Sequence, residues 1–196
     1  MDIEIDSIIQ KIMNNDITSK DSLNWKNENK FNLWHITAQE NYPAFEKLSS
    51  LVSKEEFIQK IKEKNSIGDT VAHTATWAGK IEALKLIVKI SNQSLDYIDE
   101  QNRNVSMICL KNKNKKLIDY ILKNTENFNH QDKHKQTILH YAQHFSDAST
   151  YQQIVKLGCD ESLKNNLGKT ATMPVKKEDD SILDFVAQNK KKSSFV

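Results

Sequence analysis

The segments NSIGDT (65–70) and NNLGKT (165–170) are near copies of each other, and their glycines, Gly68 and Gly168, lie 100 residues apart. That distance is three steps of about 33 residues, a period that marks stacked repeat architectures. DEQNRN (99–104) and DKHKQT (132–137) fall on the two intervening steps, with Asn102 and Lys135 in the glycine slot, and NENKFN (27–32) is a weaker copy upstream. The residues that follow share one frame as well: NLWHITA (32–38), TVAHTAT (70–76), NVSMICL (104–110) and TILHYAQ (137–143). One slot of this frame holds His35, His73, Met107 and His140, then Met173, at spacings of 38, 34, 33 and 33 residues. A unit this short cannot bury an apolar face alone, so the copies must stack and share one continuous core.

Local chemistry predicts what each copy looks like. Thr70 and Thr137 stand where a helix needs an N-cap, their hydroxyls ready to take an orphan backbone N–H. The helix that follows is short and rich in small residues. Gly79 then falls at a tight turn, where a left-handed backbone costs least. A second apolar-periodic stretch comes next, KIEALKLIVK (80–89) or KKLIDYILK (115–123), with Ile81, Leu84, Ile87 and Val88 on one face in the former. The 38-residue first step needs extra chain, and SKEEFIQKIKEK (53–64) supplies it. Ser53 and Glu56 form a capping-box pattern ahead of Phe57, Ile58 and Ile61, which predicts a lengthened or additional helix. At the start of the chain Ile5, Ile8, Ile9, Ile12 and Met13 have the spacing of an amphipathic capping helix.

The five copies in register resemble the ankyrin repeat, whose pattern runs D-x-x-G-x-T-P-L-H-x-A-A, two variable residues, Gly, a second helix and Gly-Ala-Asp. Residues 65–88 match it except for Val71 in place of Pro, and GCDESLKNN (158–166) matches the closing turn. The resemblance implies an all-α ankyrin-repeat solenoid of stacked helix-turn-helix units with helical caps. It would comprise a cap over 1–26, repeats over about 27–64, 65–98, 99–131 and 132–164, and a C-terminal cap repeat over 165–188 built on the shifted stretch SILDFVAQ (181–188). Residues 189–196 would then be a disordered tail.

Composition narrows the function. Lys+Arg 28 against Asp+Glu 26 gives a net charge of +2, too balanced to indicate nucleic acid by charge alone. Arg103 is the sole arginine, whereas bidentate phosphate recognition favours that residue. Cys109 and Cys159 form no CxxC pair, which fits a reducing compartment. MDIEIDSIIQKIMNND carries acids where a signal peptide needs positive charge, and no stretch has the ~18 apolar residues of a membrane span. The expected location is therefore cytoplasmic. Richness in lysine, asparagine and isoleucine reads as AT-rich coding. It fits an intracellular bacterium, a group whose ankyrin proteins often act inside a host.

Six histidines raise an enzyme or metal reading. The pairs His130–His134 and His140–His144 have i, i+4 spacing, and Cys159 is a further candidate ligand. Yet His130 and His134 fall in a connecting loop, and the repeat slot accounts for His35, His73 and His140. No HExxH, P-loop, GxGxxG or GxSxG is present. Cys109 sits at a small core position without a base beside it. The chain therefore reads as non-catalytic, with no cofactor and no metal. A second rival, nucleic-acid binding through lysine clusters such as KNKNKK (111–116), predicts a steep salt dependence.

What remains is recognition of another protein through the concave surface. The resemblance implies which slots face it: two before the glycine slot, one after it, and two following the paired alanines. Among these, Phe31, Ile67, Asp69, Trp77, Arg103, Lys111, His134, His144 and Phe145 are the candidate partner-binding residues. Trp77 is either packed under a neighbouring loop or exposed as an anchor; Trp and Arg are over-represented among interface hot spots. The C-terminal SSFV resembles a PDZ ligand, which such a domain would add as a strand.

Overall fold

The computed structural model describes residues 3–16 and 23–173. Within them the chain is helical, and β-type pairing is limited to three isolated antiparallel bridges. A first helix, α1 (Ile3–Met13), precedes four helix pairs: α2 (Leu33–Glu40) with α3 (Tyr42–Ser50), α5 (Val71–Trp77) with α6 (Ile81–Ser91), α7 (Val105–Cys109) with α8 (Lys115–Lys123), and α9 (Ile138–Phe145) with α10 (Ala148–Lys156). One helix, α4 (Lys54–Lys62), stands between the first and second pairs. The leading helices α2, α5, α7 and α9 pack on one another in succession, which makes the stack. SILDFVAQ (181–188), the 189–196 tail and its SSFV lie outside the described residues.

Five loops hold the periodicity, and one polar residue builds each. Asn27, Asn65, Asp99, Asp132 and Asn165 each turn a side-chain oxygen onto backbone N–H groups further along the loop, as Asp99 Oδ1 does with Gln101 and Arg103 at 2.8 and 2.9 Å. This local bonding mimics a backbone turn, which is why Asn and Asp serve there. The chain then passes through a left-handed residue: Lys30, Gly68, Asn102, Lys135 and Gly168 have φ of 57, 82, 58, 56 and 71°. Gly68 has a second reason to lack a side chain, since a Cβ there would lie 2.7 Å from the Glu100 backbone nitrogen of the next loop.

The histidine slot ties each helix to the following loop. His35 Nε2 meets the Asp69 carbonyl at 3.1 Å, His73 Nε2 the Arg103 carbonyl at 3.2 Å, and His140 Nε2 the Lys169 carbonyl at 3.0 Å. A carbonyl only accepts, so Nε2 carries the proton and Nδ1 is left to accept. Nδ1 faces the N-cap residue, closing a capping box at Asn32, Thr70 and Thr137. Burial drives the pKa of His35 and His73 down to about 4, so both rings are neutral at ordinary pH. Met107 fills the slot in the third copy, and this tie is missing there.

The extra chain of the first step forms α4 as a separate helix. Ser53 Oγ accepts from the Glu56 N–H at 3.2 Å; among the described residues the Glu56 carboxylate makes no return bond, so the capping box is half formed. Phe57 and Ile61 are fully buried, and Phe57 meets Trp34 edge-on at 5.6 Å between ring centroids. On α1, Ile5, Ile9 and Ile12 are buried against the stack, while Met13 points outward at 43 % exposure.

Candidate partner-binding surface

The C-terminal ends of α5, α7 and α9 lie side by side on the stack, and each contributes to one cluster. Trp77 ends α5, Lys111 follows the cap of α7, and Tyr141 and Phe145 stand one turn apart on α9. Lys111 Nζ lies over all three rings, 5.5 Å from the Trp77 centroid, 5.9 Å from Tyr141 and 5.2 Å from Phe145. Ring faces attract a cation at such distances, so the ammonium bridges three repeats. Its pKa is lowered, first by burial and then by Arg103 nearby.

Trp77 and Phe145 remain 40 % and 47 % exposed, which resolves the packed-or-exposed alternative for Trp77 in favour of an accessible indole. His144 sits beside Phe145 with ring centroids 6.3 Å apart. Beneath the rings the polar groups are fixed. Arg103 Nε donates to Asp99 Oδ2 at 2.6 Å, and the Tyr141 hydroxyl donates to Asp132 Oδ2 at 2.9 Å. Burial and the neighbouring Asp132 carboxylate both push the Tyr141 pKa well above its usual value.

Asp69 differs from the expectation that it faces a partner: it is buried, at 2 % exposure. Its N–H is held by Asn65 Oδ1 at 3.0 Å and its carbonyl by His35, which fixes the loop and turns the carboxyl inward. Oδ1 has no hydrogen-bond partner among the described residues. Burial, reinforced by Asp99, raises its pKa to about 6, with Arg103 and Trp77 pulling the other way.

The other candidates lie apart from this cluster. Ile67 is 64 % exposed at its loop tip, and exposed His134 holds its own loop through N–H to Asp132 Oδ1 at 2.8 Å. Phe31 is half-buried and lines a shallow pocket of about 270 Å³ with Trp25, Ile36 and Gln39. Sequence reasoning missed Tyr141 and the carboxylates Asp99 and Asp132 as members of the site. The available signal was the i, i+4 pair Tyr141–Phe145, which places two aromatic side chains on one helix face.

Three of the five groups proposed for metal chemistry are engaged elsewhere. His130 Nε2 meets the Asn102 carbonyl at 2.6 Å, His140 is held at both ring nitrogens, and Cys159 Sγ donates to the Phe128 carbonyl at 3.1 Å. Among the described residues no three His, Cys, Asp or Glu side chains are grouped to hold a metal ion. Burial pushes the Cys159 thiol up to about 11 and the Cys109 thiol higher still, away from the thiolate a nucleophile needs. The lysines of 111–116 diverge: Lys111 turns to the rings, whereas Lys115 pairs with Asp119 at 2.6 Å and Gln153 at 2.9 Å. No described helix is long and apolar enough to cross a membrane.

Solved structures share this architecture. The ankyrin repeat domain of Bcl-3, a member of the IkappaB protein family, matches with a TM-score of 0.65 and 18 % identity over 85 % of this chain and 70 % of that one. A chain from the complex of Bd0816, a predatory endopeptidase of Bdellovibrio bacteriovorus, with immunity protein Bd3460 matches with a TM-score of 0.65 and 20 % identity over 85 % and 86 %. No family model and no curated protein matches the sequence. At these identities the likeness establishes the ankyrin-repeat fold and nothing more.

Proposed function

We propose that this ankyrin-repeat solenoid is a non-catalytic binding module that holds another protein against the surface formed by the ends of α5, α7 and α9. The observation that carries the reading is the exposed Trp77–Lys111–Phe145 cluster. Two large rings stay 40 % and 47 % exposed, and beside them Arg103 Nε and the Tyr141 hydroxyl are held by Asp99 and Asp132. Large aromatic side chains are over-represented among the anchors of protein interfaces. One neighbour comes from a complex of two proteins, an endopeptidase with an immunity protein, which supports the same class of role. The reading extends to a reducing compartment, supported by two buried, unpaired cysteines, and to a bacterial effector acting in a host cell, supported by the lysine-, asparagine- and isoleucine-rich composition. A PDZ contact by SSFV stays a separate proposal on the terminal residues alone.

Affinity capture with the wild-type protein and with Trp77→Ala/Phe145→Ala tests this reading. Both side chains are exposed, so the double variant should fold with an unchanged circular-dichroism spectrum and lose the captured partner. Equal capture by both proteins would move the interface away from this cluster.

A further inference from the structure

We propose that the partner presents an acidic side chain, next to an apolar one, to Lys111 and Arg103, so that the site reads a carboxylate flanked by a hydrophobic residue. The inference rests on the binding reading above and names the chemistry it would recognise.

Lys111 carries the argument. Its ammonium lies over three ring faces, and among the described residues no carboxylate pairs with it. Ring faces satisfy its charge only in part, and they accept none of its three N–H donors in the way an oxygen would. The nearby carboxylates are already committed. Asp99 accepts from two loop N–H groups and from Arg103 Nε, and Asp132 from two loop N–H groups and the Tyr141 hydroxyl. Asp69 is buried. Arg103 spends only Nε on Asp99, so its two terminal nitrogens have no partner among the described residues. The open donors of the cluster are therefore cationic, and an incoming oxyanion is their natural complement.

The surroundings settle its sign and its neighbour. In the two loop turns beyond Arg103, 132–137 and 165–170, the exposed charges are Lys133, Lys135 and Lys169, all basic, while the exposed acids Glu126, Asp160 and Glu161 lie further back along the same connections. Phosphate is the other common oxyanion, but a surface built to grip it bidentately favours several arginines, and this chain has one. The exposed faces of Trp77 and Phe145 on either side of Lys111 then take an apolar side chain adjacent to the acid.

Phage-displayed random dodecapeptides panned on the wild-type protein test the inference, followed by affinity measurements of the enriched peptides on Lys111→Gln and Trp77→Ala. The result expected is a consensus of Asp or Glu beside an aliphatic or aromatic residue. Binding should weaken about tenfold on Lys111→Gln, as for loss of one partner of a charge pair, and should fall with added salt. A consensus rich in Lys or Arg overturns the inference, because the rings would then be reading a cation. So does a consensus whose affinity is unchanged on Lys111→Gln, or the absence of any enriched peptide. Peptides lost on Trp77→Ala but not on Lys111→Gln overturn the acidic preference alone and leave the binding surface standing. Peptides lost on neither overturn both.

Discussion

Single residues carry unequal strain in this repeat, and the loops show it most clearly. The left-handed slot holds glycine at 68 and 168 but lysine at 30 and 135, where a Cβ meets the following carbonyl at a cost of about 1–2 kcal/mol. Lys135→Gly should therefore raise stability by about 0.5–1 kcal/mol, the relieved strain less the added chain entropy of glycine. Gly68→Ala should cost at least about 2 kcal/mol, because it adds that strain and forces a Cβ toward the Glu100 backbone. Urea titrations of the two variants check both signs. The buried titratable groups give a second residue-scale expectation. His35 and His73 have folded pKa values near 4, below the unfolded 6.5, so the unfolded chain takes up protons first. Stability they support is complete above about pH 6.5 and is lost as pH falls toward 4, by about 1–2 kcal/mol each at pH 5. Asp69 has the opposite sign: its folded pKa of about 6 exceeds the unfolded 3.8, so its burial costs stability as pH rises through that window. Asp69→Asn should stabilise the protein at pH 7.5 by about 1–3 kcal/mol and have little effect at pH 4. Denaturation midpoints at the two pH values decide it.

At the scale of elements, α4 shows what the sequence discloses and what it withholds. The 38-residue step and Ser53 announce an inserted helix, because extra length must go somewhere and a serine three residues before Glu56 is a cap. Nothing in the one-dimensional pattern says that the insert enters the core. It does so through Phe57, which packs with Trp34 at 5.6 Å and Phe45 at 6.2 Å, all three rings fully buried. Phe57→Ala should cost about 3–5 kcal/mol, the range for removing a large ring from a packed interior. Lys54→Ala, on an exposed first-turn residue of the same helix, should be nearly neutral. A thermal melt of the two variants separates an integral helix from an appended one: equal, small shifts would mean that α4 rests on the surface. The short helix α7 makes the complementary point. Five residues cannot sustain a helix in water, yet Val105 to Cys109 are all buried, so the neighbouring repeats hold it in place.

Across the whole molecule, the stack and its ties were legible because they recur: the loops, the caps and the histidine slot repeat in sequence as they repeat in space. The proposed surface was legible only by slot. Lys111 meets the rings of Trp77 and Phe145, but the exposure of a slot depends on the side chain one repeat away, which no local pattern contains. Asp69 is buried for this reason, and Tyr141 joins the cluster because Lys111 of the preceding repeat reaches over it. The same dependence makes the joint between the third and fourth pairs distinctive. Its neighbours are tied by His73 to Arg103 and by His140 to Lys169, whereas Met107 offers no donor. Loop contacts remain there: Lys133 N–H to the Gln101 carbonyl at 3.0 Å, the counterpart of Ser66 N–H to Asn29 and Asn166 N–H to His134 at other joints, with Asn102 Nδ2 to the Gln131 carbonyl at 2.8 Å and His130 to the Asn102 carbonyl at 2.6 Å. In a solenoid, where each repeat touches only its neighbours, the least-tied joint sets where the stack parts first. Met107→His should supply the missing bond to the fourth loop and stabilise the stack by about 1 kcal/mol at pH 7.5. The same slot holds a buried imidazole at 35, 73 and 140. If the new ring behaves as His35 and His73 do, the gain disappears by pH 5, because the unfolded chain is protonated first and the sign follows theirs. Amide hydrogen exchange across α7 and α9 reads the effect directly. Slower exchange in both helices at pH 7.5, with wild-type rates at pH 5, is the expected result. Faster exchange at both pH values would show that the methionine contributes more by packing than a histidine could by bonding.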